Sequence, residues 1–170
     1  DMLVTLGQER DDEATVIGAQ VMQKLWRPAP AESGFKSIEA WFAGLEKLRQ
    51  AFDGGCGPFP RPLVETAESL YAQLSQSSSA PVLLHGDLHH YNILSATRSA
   101  WLAIDPKGVT GEKAYDTATF LRNPLDLPRW PSLRDTLERR VAILVEILAL
   151  DRWRILAWGT SNTVLSAWWS

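Results

Sequence analysis

The sequence predicts an α+β domain in which a large, mainly helical body carries a small β element, and three observations predict it. Apolar residues recur three to four apart along most of the chain, which is the helical period. Two short apolar runs near the middle, Val82-Leu83-Leu84 and Trp101-Leu102-Ala103-Ile104, are bounded by Gly, Pro and polar residues, as buried strands are. The composition, 45% hydrophobic and 22% charged over 170 residues, suits one ordinary domain that buries roughly 70% of its unfolded surface without a disulfide or metal staple.

In chain order, Leu3 to Leu6 reads as a short strand ended by Gly7, and Asp11 or Asp12 offers an N-cap for a first helix at about residues 12 to 26. Ala14, Ile17, Val21 and Leu25 lie on one face of it, and Pro28 and Pro30 stop the pattern. Ser37 caps a second helix with a stripe of Ile38, Trp41, Phe42, Leu45 and Leu48, broken by Asp53-Gly54-Gly55. Pro58, Pro60 and Pro62 make a stiff connector into a third stripe of Val64, Ala67, Leu70, Tyr71 and Leu74, with Ser75 to Ala80 as a polar loop. After the two strand runs come a short helix over 113 to 121 and a long one after Pro131 marked by Leu133, Leu137, Val141, Leu144 and Leu148. Trp153 to Trp169 is a last helix or pair. No internal repeat occurs and the longest polar linker is too short to separate two units, so residues 1–170 read as a single domain.

Composition also excludes function classes. A formal charge of -3, from 17 basic against 20 acidic side chains, is small and of the wrong sign for collecting phosphate backbones, so nucleic acid is not the expected partner. Cys56 is the only cysteine, which rules out an internal disulfide and a multi-thiolate zinc site and fits a reducing, cytoplasmic setting. The longest apolar stretch, Val141 to Leu150, is interrupted by Glu146 and falls well short of the about 20 residues of a bilayer span. The amino end lacks the basic region and apolar core of a secretion signal.

The densest polar chemistry follows the first strand run, in His85-Gly86-Asp87-Leu88-His89-His90-Tyr91-Asn92-Ile93-Leu94, and the second run ends in Ile104-Asp105-Pro106-Lys107-Gly108. Phosphoryl transfer needs a carboxylate to orient and deprotonate the attacking hydroxyl, plus an amide and a second carboxylate to hold magnesium on the phosphates. Asp87, Asn92 and Asp105 supply that set, and the Asp87 to Asn92 spacing is that of a kinase catalytic loop.

These words, with Tyr115-Asp116 and Leu121-Arg122-Asn123-Pro124, resemble the aminoglycoside and hydroxyurea phosphotransferases of the streptomycin 6-phosphotransferase type. The resemblance is continuous from about Pro81 to Pro124 and looser over the helices on both sides, including the Trp-rich end from Leu165 to Ser170. It implies a protein-kinase-like fold, of which this chain is the large helical carboxy-terminal lobe. It also implies ATP and Mg2+ as cofactors and a small, cationic hydroxyl acceptor such as streptomycin. Carried over by residue, Asp87 is the base, Asn92 and Asp105 hold magnesium, His85 shapes the loop, and Asp116 braces it through backbone amides. Thr5 and Leu6, in a linker of about residues 1–10, fall at the hinge whose backbone meets adenine. His89 and His90, which stand between base and metal ligand, and Glu112 are candidate substrate contacts; a guanidinium- or amine-bearing acceptor would be drawn to a carboxylate such as Glu112, for which loop solubility is the plain alternative. Lys107 can meet a phosphate, but a lysine beside an acid reads more simply as a solvated partner or loop clamp and stays outside the catalytic set.

A Gly-rich phosphate loop, a strand lysine and its helix glutamate do not occur, and Gly54-Gly55-Cys56-Gly57 lies between a helix and prolines. The expectation is a chain that begins at the hinge without its amino-terminal lobe and is inactive alone, with carboxy-terminal sequence also missing after Trp169-Ser170. Two alternatives stay open: a metal-dependent hydrolase built on His85, Asp87, His89 and His90, and a non-catalytic kinase-like binding module. A Ser-His-Asp hydrolase lacks its G-x-S-x-G elbow. Trp41, Trp101, Trp153, Trp158, Trp168 and Trp169 read as core, and Arg139-Arg140 and Glu9 to Glu13 as solvated charge clusters or caps.

Overall fold

In a computed structural model, residues 1–170 are described except 31–33, 78, 98 and 170. The predicted mixture holds: six α-helices among the described residues surround short strands, and one apolar core runs through them. The amino end departs from expectation, because Leu3–Leu6 is a 3-10 turn and only Met2 bridges a strand residue, Leu94. Leu3 is fully buried, and the Thr5 hydroxyl bonds back to the Met2 carbonyl at 2.7 Å, so the segment turns into the core where an edge strand would run past it. Helix α1 (Asp11–Leu25) follows with Arg10, not an aspartate, at the N-cap. Asp11 instead lies in the first turn, buried against Arg140, whose Nε donates to it at 2.9 Å.

Ser37 does cap helix α2 (Ile38–Ala51), its hydroxyl oxygen accepting from the Ala40 amide at 3.3 Å. Helix α3 (Arg61–Gln76) carries Pro62 in its first turn and runs past the expected end, through Ser75 and Gln76. The Ser75 hydroxyl bonds to the Ala72 carbonyl without leaving the helix, so the polar loop starts only at Ser77; residue 78 lies outside the described residues.

Both expected strands form, and among the described residues four more join them. Strands β1 (Arg27–Pro28), β2 (Lys36–Ser37), β3 (Val82–Leu84) and β6 (Val109–Gly111) make a sheet in the order β1-β3-β6-β2, with β3 antiparallel to both neighbours and β2 parallel to β6. Strands β4 (Ile93–Ser95) and β5 (Trp101–Ala103) form an antiparallel hairpin with Ile93 opposite Ala103. The loop carrying Asp87 therefore leaves one sheet and enters the other, and the loop carrying Asp105 returns from the hairpin to the first sheet.

The short helix after β6 is a 3-10 turn, Lys113–Tyr115, running into α4 (Asp116–Leu121). Helix α5 (Leu133–Leu148) packs on α1, and α6 (Arg152–Trp169) is a single helix packed on α3 and α4. Residue 170 lies outside the described residues. Gly18 lets α1 approach α4, since a Cβ there would meet the Phe120 ring at 2.5 Å. Of the tryptophans, Trp158 is core, stacking edge-on to Phe42 and Tyr115, whereas Trp153 and Trp169 are exposed. Apolar character at helical spacing does not by itself say which turn of a helix end is covered.

Candidate active site

The site is built on two loops that the body holds by backbone groups. Between β3 and Asp87, Gly86 adopts φ 82, a left-handed conformation that a side chain would resist, and a Cβ there would press on Val109 and Trp41. The turn leaves the His85 and Gly86 amides pointing inward, where buried Asp116 accepts both, at 3.1 Å and 2.9 Å. Its Oδ2 also accepts from the Trp26 indole at 3.0 Å. Burial pushes the Asp116 carboxyl above its ordinary range, and the three donors oppose that push.

His85 links the loops. Its Nε2 faces the Ile104 carbonyl at 2.9 Å, which can only accept, so that nitrogen carries the proton, and Nδ1 accepts from the Asp87 amide at 3.2 Å. The His85 carbonyl takes the Lys107 amide at 2.9 Å, and the Asn92 carbonyl takes the Ile104 amide at 2.9 Å. Asp87, Asn92 and Asp105 are thus carried on adjoining backbone. The Asn92 side-chain amide donates to the Asp87 carbonyl at 3.0 Å, which directs its oxygen away from that bond. Asp105 sits at φ 55, unusual for a residue with a Cβ, and its side chain is exposed. The Lys107 ammonium donates to Asp105 at 3.0 Å, holding that carboxyl below its usual range, and lies 3.9 Å from Asp87.

His89 is half-buried with Nε2 at 3.8 Å from Asp87; burial lowers its pKa against the pull of that carboxylate. His90 corrects an expectation. Its ring stacks on Phe120 at 4.1 Å, both ring nitrogens are buried without a partner, and burial, reinforced by Arg140, pushes its pKa down to about 2. A packed, neutral imidazole of this kind does not reach a substrate. Glu112 is a second correction: it is buried in an ion pair with Arg154 and accepts from the Trp158 indole at 3.1 Å, so it neither meets an acceptor nor solubilises a loop. The hinge pair is a third, because the Thr5 amide is spent on the Met2 carbonyl at 3.0 Å and Leu6 lies in the same turn, so neither offers an extended edge.

The hydrolase cluster does not assemble. His85 has both ring nitrogens engaged and His90 is packed away, and no three His, Cys, Asp or Glu side chains are grouped to hold a metal among the described residues. An amide oxygen from buried Asn92 and the exposed Asp105 carboxylate are donors of the hard-oxygen kind that suits Mg2+, and the Lys107 ammonium beside Asp87 and Asp105 marks a place where positive charge is favoured. A cavity of about 350 Å³ between α3, α4, α5 and α6 is lined by Arg122, Leu121 and Val141 among others, and by none of Asp87, Asn92 or Asp105.

Two supports were not legible beforehand. Trp26 carries no motif that announces its bond to Asp116. Arg140, which reads in sequence as part of a solvated pair with Arg139, is fully buried and donates to the Phe120 carbonyl in the last turn of α4 and to the Asn123 carbonyl just beyond it. Its place three residues after Leu137, inside the α5 stripe, was the available signal.

The family model for aminoglycoside/hydroxyurea antibiotic resistance kinases matches residues 1–170. The chain belongs to this kinase family. It is 34% identical over 164 residues to a streptomycin 3''-kinase of Klebsiella pneumoniae, covering 94% of this chain and 58% of that protein. It is 31% identical to a streptomycin 6-kinase of Streptomyces griseus (95% and 52% covered) and 34% identical to a hydroxyurea phosphotransferase of Kitasatospora aureofaciens (95% and 45%). The chain therefore spans about half the length of these family members. Among solved structures it is similar to the choline kinase LicA of Streptococcus pneumoniae, with 15% identity, a TM-score of 0.44, and 94% and 64% of the two chains covered. No described helix is long and apolar enough to cross a membrane.

Proposed function

We propose that this chain carries the phosphoryl-transfer residues of an ATP-dependent kinase that phosphorylates a hydroxyl of a small, cationic molecule of the streptomycin class. On this reading residues 1–170 are one domain, the helical lobe of a protein-kinase-like fold, working with further sequence of the kind its relatives' greater length accommodates. The observation that carries it is the double clamp: Asp116 on the His85 and Gly86 amides, and His85 on Ile104, which together present Asp87, Asn92 and Asp105 from adjoining backbone.

Asn92 and Asp105 are the residues that hold Mg2+, which when bound offsets the charge of the ATP phosphates. Asp87 accepts the proton of the acceptor hydroxyl as that oxygen bonds to the γ-phosphorus and the bond to the β–γ bridging oxygen breaks, leaving ADP. His89, half-buried with Nε2 at 3.8 Å from Asp87 and its pKa lowered by burial, lines the acceptor side. Asp87→Asn keeps the size and removes the base. In the full-length protein that carries this chain, it is expected to cut turnover of streptomycin or hydroxyurea by about 10² to 10⁴ in a coupled ADP-release assay, with ATP affinity nearly unchanged. Unaltered turnover would remove Asp87 from the chemistry.

A further inference from the structure

Lys107 stands between the two acids of the proposed site. Its Nζ is 3.0 Å from an Asp105 oxygen and 3.9 Å from an Asp87 oxygen, so one ammonium serves both carboxylates. Its backbone is pinned, because the Lys107 amide donates to the His85 carbonyl at 2.9 Å and Gly108 next to it takes a left-handed φ of 63. The side chain is 46% exposed and ends a flexible four-carbon stem. A fixed root with a mobile charged tip can stay with the acids or leave them without disturbing the loop.

The geometry points to Lys107 as a displaceable internal counter-ion: it holds Asp105 and Asp87 together before metal and nucleotide arrive, and then moves its ammonium onto the nucleotide's phosphate oxygens. This rests on Asn92 and Asp105 being the metal ligands. Two carboxylates with no cation repel each other, and the ammonium removes that repulsion. A divalent ion arriving alone must displace the ammonium into water, where it gains no partner. An ion arriving with a nucleotide gives the ammonium a phosphate to pair with. Lys107 thereby couples the two ligands, disfavouring metal alone and favouring metal with nucleotide, and the coupling is reciprocal.

The test compares wild type with Lys107→Met, Lys107→Arg and Asp105→Ala. Mn2+ affinity without nucleotide is read by water-proton relaxation, and MgATP affinity by calorimetry. Lys107→Met is expected to bind Mn2+ alone about fivefold more tightly and MgATP about fivefold more weakly, the scale of one exposed charge pair. Lys107→Arg keeps the charge and is expected to stay close to wild type in both. Asp105→Ala is expected to lose Mn2+ binding. Shifts of Lys107→Met in the same direction, or none, with Asp105→Ala still losing Mn2+, overturn the counter-ion role and leave the kinase reading standing. Mn2+ affinity unchanged in Asp105→Ala overturns the metal assignment, and this proposal with it.

Discussion

His90→Phe isolates a pH dependence of stability that the structure builds into the loop. In the fold the imidazole is 2% exposed, stacked on Phe120, and has no partner for either nitrogen, so a proton there is expelled and the pKa falls to about 2. In the unfolded chain it returns to about 6.5. Between those values the unfolded state binds the extra proton, so stability is full above the unfolded pKa and is lost as pH falls toward the folded one. At pH 5 the loss is set by the unfolded value alone, provided the folded pKa is well below 5, and comes to about 2 kcal/mol. Asp116 slopes the other way, because its raised carboxyl holds a proton that the unfolded chain releases, and His89 slopes with His90. Both are common to wild type and variant and cancel in the difference. Phenylalanine keeps the stack and gives up no hydrogen bond. Urea unfolding of the two proteins should therefore show the variant gaining about 2 kcal/mol on wild type between pH 8 and pH 5. A stability difference independent of pH over that range would refute the burial argument and return His90 to the solvent-facing side of the loop.

Two further substitutions probe the supports of the site. Asp116→Asn replaces two acceptor oxygens by one, so at least one of the His85, Gly86 and Trp26 donors loses its bond; urea unfolding is expected to show a loss of about 2 kcal/mol, and exchange of the Gly86 amide with deuterium should quicken. Glu112→Gln leaves the Arg154 guanidinium without its buried counter-charge and is expected to cost about 3 kcal/mol, read by urea unfolding followed by circular dichroism.

Local signals made the helical body readable, because each stripe is written within one stretch of chain and Ser37 announces its helix by a side-chain bond three residues away. Strands β1, β2, β4 and β6 were not readable: so short a strand shows no period, and where it lacks an apolar run bounded by breakers, as β3 and β5 have, its existence depends on partners as distant as Val109 is from Lys36. The same limit explains the misplaced charges. Asp11 and Arg140 lie far apart in sequence and look like ordinary surface residues until α1 and α5 pack, and Glu112 looks available until α6 brings Arg154 and Trp158 to it. The candidate site was legible for the opposite reason. Its identity depends on side-chain types at short spacing, Asp87 to Asn92 on one loop and Asp105 on another, which sequence shows directly. What sequence could not show is how the site is held. Asp116 draws the His85 and Gly86 amides toward the start of α4, while Phe120, four positions on in the same helix, stacks on His90 and lies under the Arg140 guanidinium. The residues of the proposed chemistry, Asp87, Asn92 and Asp105, are therefore set by buried, paired or packed ones behind them. A change such as Gly18→Ala, which touches no motif, should disturb the loop through Phe120 as surely as a change within it.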